Sequence, residues 1–105
     1  MIHKSSDLKR VVNETVQNRL KLLSLDSFDG LARLPSHKSE ECVFQEKKFT
    51  LSVWHDVLSS GEHRIVVQAY TPGILSIGGM EADGFAINNQ NEKRALTLEE
   101  WAPFS

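Results

Sequence analysis

The sequence predicts an α+β fold, in which an N-terminal amphipathic helix packs on one face of a small antiparallel sheet of about four strands and a short helix ends the chain. Three observations predict it: apolar residues at helical spacing near the N-terminus, a β-hairpin pattern over residues 49–70, and a helix-start motif near the C-terminus. With 105 residues, 40% of them hydrophobic, the chain can bury one modest core. We therefore expect a single domain spanning residues 1–105.

The first predicted element is a helix near the N-terminus, which Ser5 or Ser6 can cap. Its apolar residues recur at helical spacing and so share one side of the helix: Leu8, Val12, Val16, Leu20 and Leu23. Residues 24–40 contain Asp29-Gly30 and Leu34-Pro35, which interrupt regular structure. We expect this stretch to be irregular, or to hold a short extra turn of helix.

The pattern over residues 49–70 predicts a hairpin together with its register. Apolar and polar residues alternate in both arms, and the loop Ser59-Ser60-Gly61 suits a type I turn closed by a left-handed glycine. The predicted cross-strand pairs are His55–Ile65, Val53–Val67, Leu51–Ala69, Trp54–Val66 and Asp56–Arg64. A slip of one residue would set Val53 against Gln68 and mix the two faces, so the register is well specified. The apolar face of this hairpin is the expected partner of the helix.

Shorter strands are predicted on both sides of the hairpin, at Glu41–Gln45 and Gly84–Ile87. Between the hairpin and the last strand, Ile74–Met80 is apolar but broken by Gly78 and Gly79. Such glycines are typical of a bulged or edge segment rather than a central strand. Residues 88–92, which read NNQNE, predict a turn.

The C-terminus carries a helix-start signal. Thr97 and Glu100 have the spacing of a capping box, and Leu96 and Trp101 have the spacing of a hydrophobic staple. Pro103 lacks an amide donor, so the helix that starts here can have only one or two turns.

Composition restricts the partners and the compartment. A net charge of −2 and a pI near 6.1 make a nucleic-acid partner unlikely. Cys42 is the single cysteine and cannot form an internal disulfide, which fits a reducing compartment. The chain contains no apolar run long enough to span a membrane, and its N-terminus lacks the apolar core of a signal peptide. We expect a cytoplasmic protein without membrane association, and its oligomeric state stays open.

No motif of the sequence specifies a catalytic or metal-binding chemistry. Cys42, His55 and either Asp56 or Asp83 are the residue types of a thiol hydrolase. His55 and Asp56 are successive in a strand and point to opposite faces, so Asp56 cannot orient His55, and a lone cysteine in an apolar strand is more often structural. His55 and His63 are predicted neighbours across the hairpin, yet two ligands are too few for a metal site. We expect no enzyme activity, no cofactor and no bound metal.

The hairpin face opposite the helix is the strongest candidate for a binding surface. Trp54, Arg64, Val66, Gln68 and Tyr70 share it. An exposed aromatic on a sheet can anchor a protein partner or stack on a nucleic-acid base. The alternative is that Trp101 and Phe104 fold back and cover Trp54, because a large aromatic is usually buried.

These observations favour a small non-enzymatic domain that binds a protein partner. Small size, mild acidity and the absence of a catalytic signature match what is expected of small bacterial partner-binding proteins, such as toxin-neutralising immunity proteins or other regulatory proteins. The match is one of general class, and no motif of the sequence carries it. The alternatives are a small-ligand or hydrolytic site around Cys42 and His55, and weak single-stranded nucleic-acid binding on the face of Trp54 and Tyr70.

Overall fold

The computed structural model describes residues 4–71 and 79–104. Two helices come first, α1 (Lys4–Ser24) and α2 (Phe28–Ala32). The strands follow as β1 (His37–Phe44), β2 (Lys47–Val57), β3 (His63–Thr71), β4 (Gly79–Ile87) and β5 (Lys93–Arg94). The short helix α3 (Leu98–Trp101) and a 3₁₀ turn (Ala102–Phe104) complete the described chain. The predicted α+β class is confirmed.

The strands form one five-stranded antiparallel sheet in the order β1-β2-β3-β4-β5, so each strand lies beside its neighbours in the chain. All of the cross-strand pairs predicted for the main hairpin are present, including Val53–Val67, Trp54–Val66 and Asp56–Arg64. Gly61 closes the hairpin loop at a φ of 91°, in the left-handed region that glycine adopts without a Cβ clash.

Helix α1 covers one face of the sheet, here called the first face. Val12 and Val16 on α1 are completely or almost completely buried. They form a core with residues from β2, β3 and β4, among them Phe49, Leu51, Val53, Ile65, Val67, Ala69, Phe85 and Ile87. Leu31 of α2 joins the same core. The predicted packing of the N-terminal helix on the apolar hairpin face is thus confirmed.

Helix α1 includes Lys4, so Ser5 and Ser6 lie inside the helix and the prediction that one of them caps it is wrong. The stretch expected to be irregular does contain a short helix, α2, whose start is capped by the Ser27 side chain accepting from the Gly30 amide. Among the described residues, no helix is long and apolar enough to cross a membrane.

The strands extend beyond their predicted limits. Strand β1 begins at His37 rather than at Glu41, and β4 begins at Gly79 rather than at Gly84. The predicted end of β1 at Gln45 is wrong by one residue, because β1 ends at Phe44 and Gln45 belongs to the turn. Of the predicted segment Ile74–Met80, residues 74–78 lie outside the described residues, while Gly79 and Met80 open β4. The short strand β5 was not predicted; it pairs with Ala86 and Ile87 of β4.

The C-terminal capping box is confirmed. The Thr97 hydroxyl accepts from the Glu100 amide, and the Glu100 carboxylate accepts from the Thr97 amide at 2.9 Å. Leu96 is buried and belongs to the same apolar cluster as Trp101, as the predicted staple requires. This cap fixes the direction in which the last residues return across the sheet.

Candidate functional site: the second face of the sheet

The face of the sheet opposite α1, here called the second face, is divided into a covered and an open half. The covered half lies under the C-terminal segment, residues 96–104, and its buried members are Val66, Ala86 and Leu96. Trp54, Leu58, Trp101 and Phe104 pack around them. The open half begins at Gln68 and extends towards Tyr70 and Met80.

Trp54 marks the boundary between the two halves. Its indole ring stacks on the His37 imidazole at a centroid distance of 3.8 Å. Phe104 contacts it edge-on with centroids 6.1 Å apart, and the indole N–H donates to the Gln68 side-chain carbonyl at 3.0 Å. Of the two alternatives for Trp54, the structure therefore has the one in which the C-terminal segment covers it in part.

Arg64 is held on the covered half by three kinds of contact. Its guanidinium forms a bidentate ion pair with Asp56 and donates to the Glu100 backbone carbonyl at 2.7 Å. It also lies over the Phe104 ring, 5.1 Å from the centroid. The hydrogen bond to Asp56 raises the pKa of the Arg64 side chain further above its ordinary value. Through these contacts Arg64 anchors the C-terminal segment. Only 11% of its side chain is exposed, so it is not free to bind a partner.

The remaining predicted site residues differ in their exposure. Val66 is completely buried, so its side chain cannot reach a partner. Gln68 is partly buried and is oriented by its bond to Trp54. Tyr70 is 54% exposed and is the most accessible of the predicted residues. Of the candidates, Tyr70, Gln68 and the edge of Trp54 thus remain accessible.

Met80 is a member of the open half that the sequence did not indicate. It pairs directly with Tyr70 across β3 and β4, and it is 45% exposed. Cross-strand partners have side chains on the same face at close distance, so the two form one apolar patch. No sequence signal identifies Met80, because it follows the glycines of the predicted irregular segment.

A shallow depression lies between the two halves. It has a volume of about 440 Å³ and is lined by Trp54, Asp56, Arg64, Gln68, Met80, Pro103 and Phe104. Its wall therefore combines aromatic rings and a thioether with the ion pair of Arg64 and Asp56. An apolar side chain presented by a partner could fill this depression beside Tyr70.

The second predicted site, around Cys42 and His55, is not assembled. Cys42 lies opposite Phe49 in the β1–β2 ladder, and His55 lies six residues further along β2. Six residues of strand span about 20 Å, so the imidazole cannot activate the thiol. Burial, as the main cause, raises the pKa of the Cys42 thiol above its ordinary value, which disfavours the nucleophilic thiolate.

His55 and His63 do meet, as the hairpin register predicts. His55 Nε2 and His63 Nδ1 are 2.6 Å apart, and His55 Nδ1 lies 2.9 Å from the Leu34 carbonyl oxygen. Phe28 of α2 packs edge-on against His63 at 4.7 Å between centroids. Within residues 4–71 and 79–104, no group of three or more His, Cys, Asp and Glu side chains could hold a metal ion.

No protein-family model matches the chain, and no curated protein or solved structure is significantly similar to it.

Proposed function

We propose that this chain is a non-enzymatic domain that binds a protein partner through the open half of the second face. The observation that carries the proposal is the exposed pair Tyr70 and Met80 on adjacent strands. They lie at directly paired positions of β3 and β4, and the strand pairing reduces the conformational entropy that their backbones lose on binding. Aromatic residues and methionine are enriched where proteins bind each other.

The charges on this face favour a protein over a nucleic acid. Arg64 and Arg94 are each ion-paired with carboxylates, and Lys48 lies 3.9 Å from Glu41. A nucleic-acid partner requires cations that can pair with phosphates. With these cations already paired, the exposed apolar side chains of Tyr70 and Met80 are better suited to a protein interface, whose centre is apolar.

The domain fits the class of small regulatory or immunity-type proteins that act by occupying a partner's surface. A cytoplasmic location is consistent with Cys42 being free and with the raised pKa that keeps it a thiol.

Site-specific photo-crosslinking in the native host tests the proposal. A benzophenone amino acid at position 70 should crosslink to one defined protein, whereas the same group at Asn18 should not, because Asn18 is exposed on α1 above the opposite face. The control measures random crosslinking at an exposed position outside the second face.

Binding of the purified partner then provides the quantitative test. Tyr70→Ala should weaken the affinity by roughly 2 kcal/mol, as for an interface anchor, and Met80→Ala should weaken it less. Asn18→Ala should leave the affinity unchanged. A partner that binds Tyr70→Ala as tightly as the unmodified chain would exclude the open half as the interface.

A further inference from the structure

Strand β1 forms an outer edge of the sheet, next to β2. Its residues 37–41 are all exposed. The His55 amide donates to the Ser36 carbonyl at 3.0 Å, so these two residues form a hydrogen-bonded pair of the antiparallel ladder. Hydrogen-bonded and non-hydrogen-bonded pairs alternate along such a ladder. The backbone groups of residues 38, 40 and 42 therefore face β2, and those of residues 37, 39 and 41 face outwards. In the described part of the chain, no other element pairs with these outward groups.

We propose that a second copy of this chain pairs antiparallel with β1, with Ser39 facing Ser39 of the second copy across a two-fold axis. Residues 37–41 of the two copies then form a continuous sheet. Backbone groups that face outwards can pair only with outward groups of the second copy. An axis between two residues would pair each outward-facing residue with an inward-facing one, so the axis must pass through a residue.

The side chains select Ser39 among the registers that satisfy this condition. With the axis at Ser39, Lys38 lies opposite Glu40 of the second copy, and His37 lies opposite Glu41 of the second copy. An axis at Lys38, Glu40 or Glu41 would instead place that charged residue directly opposite its own copy. Like charges at directly opposite positions are destabilising. Among the axes at residues 38–41, the one at Ser39 is therefore the one in which the charges of β1 are complementary to themselves.

Helix α1 packs mainly on β2, β3 and β4, the strands that lie inside β1 in the sheet. Arg19 of α1 reaches Glu40 with a distance of 2.7 Å between Arg19 Nη2 and Glu40 Oε1. In the dimer, Glu40 would therefore lie between Arg19 of its own chain and Lys38 of the second copy.

The predicted interface is small, and this sets its strength. A stable dimer usually buries about 1,200–2,000 Å² in total, which a few strand residues cannot supply. We therefore expect a weak, concentration-dependent dimer. This dimer goes beyond the proposed function, because it uses the strand edge and leaves the patch of Tyr70 and Met80 free.

Two charge variants and their mixture test the register. Lys38→Glu and Glu40→Lys should each weaken dimerisation by about tenfold or more, since each sets like charges opposite in two places. Mixing the two variants should restore association, because the carboxylate introduced by Lys38→Glu in one chain then faces the ammonium introduced by Glu40→Lys in the other. Sedimentation equilibrium from about 10 μM to about 1 mM spans the range expected for a weak interface.

Disulfide trapping provides an independent measurement. In a Cys42→Ala background, Ser39→Cys should form a crosslinked dimer on mild oxidation, because paired residues at the axis are within disulfide range. Ser59→Cys in the hairpin loop is exposed and far along the chain from β1, and it should crosslink much more slowly.

Two results would overturn the proposal. One is an unmodified chain that stays monomeric up to about 1 mM, the upper end of the concentration range expected for this weak dimer. The other is a variant mixture that associates no more than its components. In either case, β1 would not pair with a second copy of this chain, and its outward backbone groups could pair only with a strand of a different protein. Lys38→Glu should also leave binding at Tyr70 unchanged, which separates a failure of this proposal from a failure of the proposed function.

Discussion

At the scale of single residues, the contact between His55 and His63 has a defined proton arrangement. The Leu34 carbonyl can only accept, so His55 Nδ1, 2.9 Å away, must carry a proton. With neutral His55, Nε2 is then the acceptor, and His63 Nδ1 donates to it across 2.6 Å. Full protonation of both rings would set two N–H groups against each other, so the contact requires that at most one ring is charged.

This arrangement predicts a loss of stability in mild acid. Burial, and secondarily His55, lower the pKa of His63 from 6.5. The folded chain therefore takes up this proton less readily than the unfolded chain, and its stability is full above pH 6.5 and falls as the pH drops through the lowered value. His63→Gln should reduce the difference in the free energy of unfolding between about pH 7.5 and 5.5.

Urea unfolding at several pH values measures this difference. The His63→Gln variant is itself expected to be less stable at every pH, so the quantity to compare is the slope against pH. Above about pH 7.5 the two curves should run parallel, because His63 is neutral there in both states. A variant curve as steep as that of the unmodified chain between pH 7.5 and 5.5 would assign the acid sensitivity to other groups.

Gly61 provides a second prediction at this scale. Its φ is 91°, and a Cβ built there would meet nothing within 4 Å, so any cost of substitution is backbone strain and not a clash. Gly61→Val should cost roughly 1–3 kcal/mol, because a β-branched residue rarely adopts this conformation. Gly61→Asn should cost clearly less, because asparagine tolerates the left-handed region. Equal denaturation midpoints for the two variants would contradict this assignment.

At the scale of elements, the turn between β1 and β2 is stable despite unfavourable residues. Gln45 and Glu46 have φ values of 49° and 70°, and Phe44 pairs with Lys47. This is the geometry of a two-residue type I′ loop, which normally contains asparagine and glycine. Since the chain tolerates two non-glycine residues there, the sheet pairing on both sides must outweigh their strain.

Glu46→Gly should therefore stabilise the fold. Relief of left-handed strain is worth roughly 1–2 kcal/mol, and the added freedom of glycine in the unfolded chain offsets roughly 0.5–1 kcal/mol of it. A net gain of about 0.5–1 kcal/mol should be visible in the denaturation midpoint. Ser39→Gly, in the extended part of β1, is the matched control and should lose stability. A loss for both variants would show that the turn carries no strain.

The elements predicted well from the sequence are those whose own residues specify them. The hairpin of β2 and β3 alternates along both arms and has a glycine at its turn, so even its register could be derived. Residues 37–40 were missed because the outer strand needs no apolar alternation; exposed charged residues suffice there. Strand β5 consists of Lys93 and Arg94, and its pairing depends on β4 and on no local pattern.

The candidate site was predicted in part for the same reason. The five residues of the second face were placed together by period-two alternation, which the sheet register confirms. Their accessibility depends on which part of the second face residues 96–104 cover, and the alternation of apolar and polar residues in the strands cannot specify that. The cap at Thr97 indicated a helix start, but the contacts of Arg64 with the Glu100 carbonyl and of Phe104 with Trp54 are tertiary. Met80 became a site residue only through its pairing with Tyr70.

At the scale of the whole molecule, the sheet separates two apolar clusters of different origin. The first is built by α1, α2 and the strands, and the second depends on the C-terminal segment. That segment is fixed by ion pairs as well as by its rings: Arg94 donates to both Glu62 and Glu100. The bond from Arg94, with the Thr97 amide, lowers the pKa of Glu100 to about 2. Glu100 therefore stabilises the folded chain at pH values above 4.5, the ordinary pKa of a glutamate. This stabilisation is lost as the pH falls towards 2.

Removal of the C-terminal segment should therefore expose Trp54 without unfolding the first cluster. The chain has two tryptophans, Trp54 and Trp101, so a chain ending at Leu96 and a full-length Trp101→Phe variant both report Trp54 alone. The truncated chain should emit at longer wavelength and lose about 3 kcal/mol of stability, since two partly buried rings are removed. Its far-UV circular dichroism should still show α1, because that helix packs on the opposite face.

The control and the contradicting result follow from the same contacts. Leu98→Ala changes a side chain that is 89% exposed, so it should leave both the emission of Trp54 and the stability almost unchanged. If the truncated chain kept the emission of the full-length variant, the environment of Trp54 would be set by His37 and Gln68 rather than by Phe104. If the circular dichroism of α1 were lost as well, the two clusters would unfold as one cooperative unit, and the C-terminal segment would be part of the core of the fold.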